Sequence, residues 1–513
     1  MPEYLVGIDV GTTVSKAVVV DTDGNIAGSG HREYSCIYPR ENWVEQNGEM
    51  LIKMTFEACK EAVLNSGIDP HKIISVGFSA QRATFAFLDE NKNIIDGNFY
   101  VWQDNRASTE IEYITSKIPA EELHEISGMP VTPTFSLEKI IWIMKNEPKK
   151  YGKARYIVQV PDYVMYRFGA DDLFCEVTNA CSSGMIDIKK LCWSDKILDT
   201  FKINKDKLPR LINPGTAVGR VTGKIAEKSG LAAGTLLCSG SGDQQCSSLG
   251  AGVIKDSHAS LTLGTSGLLI VGTDKPVIEK KYGLMTSSSA SLGLYELEGI
   301  QLGAASSYKW ICDILGGLEK AASKELNINP YGLIDQHLLN SPVGSNGIVF
   351  MPFLSGSGYP CWNSEAKGIF AGLKFSNTKG DMLRSVMEGI TLESKDMYET
   401  MKTTGVKISS LTINGGATKS PVWRQIIADM FNVEIRLLKV MDATNIGTAI
   451  LAGVGSGLFK DAADGVARMV KFTGIIKPID GNVVKYNKIY EIYKEIYNVF
   501  NGSGIFKKLS VAT

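Results

Sequence analysis

Three short segments carry the residue types that chemistry on a phosphate and a hydroxyl requires. Asp9-Val10-Gly11-Thr12-Thr13-Val14-Ser15-Lys16 brings bare backbone N–H groups, hydroxyls, a cation and a carboxylate into one turn. Such a turn can take phosphate oxygens on its amides and hydroxyls, with Lys16 offsetting their charge. Asp9 ends the first apolar run, a suitable place for a Mg²⁺ ion that keeps most of its waters. A hairpin turn with a capping Asp explains the same residues about as well. The second segment, Ala233 to Gln245, reads as a strand, the small-residue loop Ser239-Gly240-Ser241-Gly242, and an acid at the start of a helix. Asp243 there accepts N–H bonds that keep it ionised. In phosphoryl transfer with a loose transition state the hydroxyl proton leaves late, so a well-placed weak base suffices. A plain N-cap is the ordinary alternative, and the glycines and serines ahead of Asp243 favour function. In the third segment, Leu411 to Trp423, a strand meets Gly415-Gly416 before Ser420-Pro421 opens a helix. Paired glycines leave room for a flat ring, so a nucleoside can rest there. The run Asn445 to Gly453 has a small-residue face, which points to close helix packing.

Polar groups suited to a polyhydroxylated ligand follow two other apolar runs: Gln81-Arg82, and Trp102-Gln103-Asp104-Asn105-Arg106. Guanidinium, amide and carboxylate supply directional bonds, and the indole supplies a face to stack on. Each taken singly is as well explained as a surface ion pair or a core residue. The sequence has no GxxxxGK[ST], no HRD and DFG pair and no GxGxxG, which removes P-loop, protein-kinase and usual nicotinamide readings.

The elements that must position these groups are those of an α/β chain. Leu5–Val10 and Lys16–Val20 read as strands, with a hairpin turn at Asp21–Asn25. Helical spacing runs from Gln46 to Ser66 and stops at Gly67, and a buried strand follows at Ile73–Phe78. About half the chain later, Ala259 to Val271 again sets a Gly-Thr turn, Gly264-Thr265, between two apolar strands. Two halves that each open with this hairpin predict two domains of related topology facing a shared cleft. The break is placed near residue 255, giving domains 1–254 and 255–513, with 250–257 as hinge. A surface helix is expected over 486–500 and a loose final dozen residues.

Composition bounds the class. The chain has 513 residues, 44% hydrophobic and 21% charged, and a net charge of -1. It is long enough for two or three domains, and it has no field to attract nucleic acid or an anionic membrane. No apolar run reaches membrane-spanning length, the start lacks a basic leader, and nine scattered cysteines make no CxxC pair. A cytoplasmic, reduced setting is expected.

The motifs together resemble the FGGY family of carbohydrate kinases. DVGTTVSKAVVVDTDG is similar to its first phosphate loop. Thr134 to Asn146 (TFSLEKIIWIMKN) matches its first signature except at Thr134, and Gly368 to Glu388 fits the second throughout. SGDQQCSSLGAG resembles the catalytic-base segment and NGGATKSPVWRQIIAD the adenosine segment. The resemblance implies two actin-like, ribonuclease-H-like domains that close on ATP and sugar, and Mg-ATP-dependent phosphorylation of a hydroxyl. It implies Asp243 as base, with Asp9 and Asp243 near the metal. Gly11, Thr12, Thr13, Lys16, Gly264 and Thr265 would then hold phosphates, and Gly415, Gly416 and Ser420 the nucleoside. Gln81, Arg82, Trp102, Asp104 and Gln244 would meet the sugar.

Departures bear on the acceptor. Glycerol kinases have Arg-Glu where this chain has Arg82-Ala83, and Tyr at the position of Thr134. Xylulose kinases usually have Gln-Met-His at Gln81-Arg82-Ala83, yet Leu354 to Pro360 looks like their branch. The reading is a pentulose kinase of xylulokinase type. Erythritol, gluconate or glycerol as acceptor, or a non-catalytic actin-fold regulatory ATPase, are the alternatives. The sequence leaves open whether two copies form a homodimer.

Overall fold

The computed structural model describes residues 3–279 and 283–511. The chain divides into two compact units, the first built from residues up to 256, 272–297 and 442–471, the second from 257–271, 298–441 and residues from 472 onward. These compact units are interleaved in sequence, whereas the sequence reading sets one break after residue 254. Two later stretches return to the first unit, one of them carrying a helix rich in small residues.

In the first unit, β1 (Tyr4–Val10), β2 (Val14–Asp21) and β3 (Ile26–Glu33) form an antiparallel meander. β4 (Ile73–Ala80) adds parallel to β1, β6 (Leu236–Gly242) parallel to β4, and β5 (Ala217–Arg220) antiparallel at the edge. The order is β5-β6-β4-β1-β2-β3. Strands β1 and β2 are apolar at almost every position because both faces are covered, which is why they read as continuous rather than alternating runs. Helix α1 (Gly48–Ser66) starts where Asn47 accepts the Met50 N–H and ends where Gly67 takes a left-handed conformation, φ 63°. Further helices are α2 (Ser136–Asn146), α3 (Val160–Phe168), the short α4 (Val177–Cys181) and α5 (Asp243–Gly250).

The second unit repeats the order. β7 (His258–Leu263) and β8 (Gly267–Thr273) make the hairpin, and the sheet runs β9 (Tyr295–Gln301), β8, β7, β10 (Ser410–Asn414), β11 (Ile435–Leu438), β12 (Phe472–Ile476). β10 is parallel to β7, β11 to β10, and β12 antiparallel to β11. Its helices include α6 (Ala305–Leu315), α7 (Pro330–Leu339), α8 (Lys379–Lys402) and α9 (Pro421–Phe431). These six strands follow the order of the first sheet, the relation that the repeated hairpin predicts, and a seventh strand, Met285–Ser288, lies at the edge beside β9.

Helix α10 (Ala443–Gly455) belongs to the first unit and packs on β1, β4 and β6 and against α5. Its small residues serve contact with the protein itself. A Cβ on Gly447 would lie 1.9 Å from the Cys246 carbonyl oxygen, and one on Gly250 1.9 Å from that of Ala443. Reciprocal glycines thus let α5 and α10 touch backbone to backbone, fixing the helix that begins with Asp243. The C-terminal helix α11 spans Asp480–Gly502, longer than expected. The tail after it is not loose throughout. Ile505–Val511 form α12, anchored by Phe506 at 1% exposure. Among the described residues no helix is long and apolar enough to cross a membrane.

Candidate active site

Asp243 is the first residue of α5, directly after β6. Its Oδ1 accepts the Gln244 N–H at 2.7 Å and lies 3.2 Å from Arg82 Nε, and its side chain keeps 26% exposure. Arg82 follows β4, the strand beside β6, so adjacent parallel strands deliver both members of the pair at their C-terminal ends. Gln244 is half-buried, and its Oε1 has no hydrogen-bond partner among the described residues, leaving an amide oxygen available to a donor.

Asp9 stands near the end of β1, opposite Lys16 on β2 and beside Ser79 of β4, whose hydroxyl donates to it at 3.1 Å. Burial first, and then the charge of Asp243, push its carboxyl up to about 7, with Asp442 adding to the rise. Lys16 opposes the rise only weakly and pairs with Asp442 at 2.8 Å. Asp442, the residue before α10, was not legible as a site residue. It comes from a distant stretch of chain, and only the return of 442–471 to this unit brings it here. Lys16 pairs with Asp442 and Arg82 with Asp243, so among the described residues Asp9 alone of the three carboxylates has no cation bonded to it, in keeping with a carboxyl raised first by burial. No group of three or more His, Cys, Asp or Glu forms a metal cage among the described residues. Few ligands with an unbalanced charge suit Mg²⁺ held mostly through water, and Asp9 and Asp243 are the residues that would hold it.

The first hairpin turn is tied inward. Gly11 N–H donates to Val14 O, and Tyr34 OH donates to Gly11 O at 2.6 Å. Thr12 Oγ1 donates to Gln81 Oε1 at 3.1 Å and accepts the Trp102 indole N–H at 2.9 Å, while Gln46 Nε2 donates to Thr12 O. The N–H groups of Thr12 and Thr13 have no partner among the described residues and remain for an anion.

Two expected sugar contacts have other duties. Gln81 is 2% exposed, accepts from Thr12 and Thr84, and donates to Gln46 at 2.7 Å, so its amide joins the turn to β4. Asp104 is fully buried and accepts from Val44 N–H and from Arg106 Nε and Nη2. The Arg106 guanidinium lies 3.9 Å from the Trp43 ring centre and reaches Glu45 at 2.6 Å. A carboxylate so saturated fixes the loop that carries Trp102 and offers nothing to a ligand. Of the expected sugar contacts, Arg82 pairs with Asp243, Gln244 keeps an amide oxygen unpartnered among the described residues, and Trp102 is half-buried. Lys139, also unforeseen, is buried in α2 and donates to the carbonyls of Thr134 and Pro133. Burial pulls its ammonium down to about 7. A lone cation within Leu137 to Ile143 was its available signal.

The second unit holds a cavity of about 870 Å³. Gly264 and Thr265 form part of its wall, with Gly416, Ser420, Tyr308, Tyr331 and Asp335. The Gly264-Thr265 turn is anchored at the start of α6, where Ala305 N–H donates to Gly264 O and Ser306 Oγ to Thr265 O. Gly415 has φ 93°, and a Cβ there would meet Leu263 O at 2.4 Å, so only glycine lets β10 leave β7 this closely. Beside Gly416 nothing lies within 4 Å of a Cβ position, and its backbone borders open space. The volume and lining fit a nucleotide-sized ligand, with a turn at one place for phosphate and glycines at another for a ring.

Comparison with known proteins agrees with these features. The family model "FGGY family of carbohydrate kinases, N-terminal domain" matches residues 4–250, and the corresponding C-terminal domain model matches 259–456. A xylulose kinase of Staphylococcus epidermidis is 30% identical over 504 residues, covering 96% of each chain. A glycerol kinase of Leifsonia xyli is 28% identical over 477 residues, covering 90% of this chain and 91% of its own. The crystal structure of a ligand-bound xylulose kinase from Lactobacillus acidophilus superposes with a TM-score of 0.88 at 25% identity, covering 99% of this chain and all of that one.

Proposed function

The chain belongs to the FGGY family of carbohydrate kinases, and on that premise we propose that it transfers the γ-phosphoryl group of Mg-ATP to a hydroxyl of a pentulose of the xylulose type. Asp243 is the general base. The observation that carries this reading is its setting: a carboxylate at a helix start, partly exposed, with one oxygen held by a backbone N–H and a guanidinium. As the acceptor oxygen bonds to phosphorus, its proton passes to Asp243 and ADP departs with the electrons of the broken P–O bond. Arg82 fixes the direction of Asp243. Gln244 accepts from a second hydroxyl, and the Trp102 face covers the carbon skeleton. A bound Mg²⁺ supplies charge neutralisation at the phosphates. The Gly264-Thr265 turn and the cavity beside it take the nucleotide.

Ala83 and Thr134 favour a ketose over a small triol, because neither supplies the carboxylate or phenol found at those places in glycerol kinases. A coupled ATP-consumption assay over xylulose, other pentuloses, erythritol, glycerol and gluconate tests the acceptor. A pentulose is expected to give the highest kcat/KM, and a preference for glycerol or gluconate would displace it. Asp243→Asn is expected to lower kcat by about 10³-fold with nucleotide affinity retained. Near-normal turnover in that variant would remove the base assignment.

A further inference from the structure

We infer that the segment from Glu176 to Ser182 is a positioning clamp that sets the Arg82–Asp243 pair, with Thr178 and Ser182 as its two jaws. The inference rests on the reading of Asp243 as base and goes beyond it. Thr178 and Ser182 are four residues apart on and just after α4, hence on one face. Thr178 Oγ1 accepts the Gly242 N–H at 2.9 Å and lies 2.6 Å from Ser241 Oγ. Those are the two residues immediately before Asp243. Ser182 Oγ accepts the Ala83 N–H at 3.1 Å, and Ala83 is the residue immediately after Arg82. One short helix therefore grips the backbone beside each member of the pair.

The grip has a single arrangement. Glu176 accepts Thr178 N–H at 2.9 Å and Thr178 O–H at 2.6 Å, so the hydroxyl proton is committed and both lone pairs face Gly242 and Ser241. Ser241 must then donate. Ser182 gives its own proton to Asn179 O at 2.7 Å, leaving its oxygen to accept from Ala83. Glu176, Thr178 and Asn179 are each 1% exposed and Ser182 3%, so water does not compete for these bonds. Ala83 has φ 56°, a left-handed conformation that costs a non-glycine residue about 1 kcal/mol and turns the chain between Arg82 and Thr84. The Ser182 hydroxyl holds the N–H of that strained residue. Thr178 and Ser182 bond to Gly242, Ser241 and Ala83, the chain neighbours of the pair. Their role is geometric, and a displacement of about 1 Å at a reacting centre can cost about 10²-fold in rate.

The test is steady-state kinetics on the full chain with the best sugar of the panel, comparing Thr178→Val, Thr178→Ser, Ser182→Ala and the double variant Thr178→Val/Ser182→Ala, with Asp243→Asn as reference. Rates are normalised to nucleotide-binding sites and each variant's thermal transition is recorded. Thr178→Val should lower kcat about 10- to 100-fold with KM for ATP within twofold, and Thr178→Ser should restore kcat to within about threefold. Ser182→Ala should lower kcat several-fold. The double variant should lose less than the product of the two singles, because both act on one pair. A folded Thr178→Val with kcat within twofold of the parent, beside an inactive Asp243→Asn, overturns the clamp and leaves the base reading standing. Equal loss in Thr178→Ser and Thr178→Val also overturns it, since the hydroxyl is then irrelevant. If Thr178→Val does not fold, Ser182→Ala decides, and unchanged kcat there refutes the clamp. An active Asp243→Asn refutes the base reading itself.

Discussion

Two hairpin turns occupy equivalent places in sheets of the same strand order, yet they are built for different work. In the first unit the Thr12 hydroxyl is engaged by Gln81 and Trp102, and carboxylates of Asp9, Asp243 and Asp442 gather near the strand ends. In the second unit Thr265 is exposed, its side chain makes no hydrogen bond among the described residues, and the turn opens on a cavity of about 870 Å³. One topology thus supports a tied, carboxylate-rich site in one unit and an open pocket bordered by Lys309, Lys419 and a single carboxylate, Asp335, in the other. The difference lies in the residues packed behind each hairpin. Behind the first, Gln46, Gln81 and Trp102 close in on the turn, and behind the second the start of α6 bonds to the carbonyls of Gly264 and Thr265, leaving the Thr265 hydroxyl outward.

The sharpest way to break this contrast is to fill the open site. Gly416→Ile places a side chain where nothing lies within 4 Å, so folding should be unaffected while the pocket shrinks. KM for ATP should rise about 10- to 100-fold with KM for the sugar little changed. A rise in the sugar's KM alone would mean the cavity is not the nucleotide site. A matched pair sharpens the contrast further. Thr12→Val removes a half-buried hydroxyl that serves two partners and should cost about 1–2 kcal/mol of stability in denaturant unfolding. Thr265→Val removes an unpartnered exposed hydroxyl, should change stability by less than about 0.5 kcal/mol, and should raise KM for ATP. Equal stability losses would show that the two turns are not differently tied.

Much of this was legible in the sequence because it is local. The hairpins, the Gly-Thr turns, the helix stop at Gly67 and the acid at the start of α5 follow from residues within a few positions of one another. The matching sheet order was implied by the repeated hairpin. What stayed hidden needs contacts across long separations. Asp442 meets Lys16, Thr178 meets Gly242 and Ser182 meets Ala83 only after the sheet and α10 are assembled. Gln81 and Asp104 misled for the same reason. A polar side chain after a strand looks ligand-facing until its protein partners are counted, and both prove fully engaged. The small residues of α10 were read as packing, since their helical spacing points to a neighbouring backbone, whereas Gly250 of α5 was read only as a helix stop and hinge.

The first unit's dense polar network also makes a small, pH-dependent difference measurable. Asp162 in α3 is 1% exposed, and its Oδ2 accepts the Gln159 N–H at 2.8 Å. Burial outweighs that bond and pushes its carboxyl from 3.8 up to about 8. Between those values the folded protein keeps a proton that the unfolded chain has released. The stability this neutral carboxyl contributes is therefore complete below about pH 4 and is lost as pH rises through about 8. Asp162→Asn keeps an oxygen for Gln159 and has no proton to lose. Chemical unfolding should show the variant and parent alike near pH 4, with the variant ahead by an amount on the order of 1–3 kcal/mol at pH 9. KM for ATP should be unchanged at both values, because the cavity lining lies wholly in the other unit. A variant that was instead weaker at pH 9 would mean that the folded chain favours the carboxylate, its carboxyl held below rather than above the unfolded value.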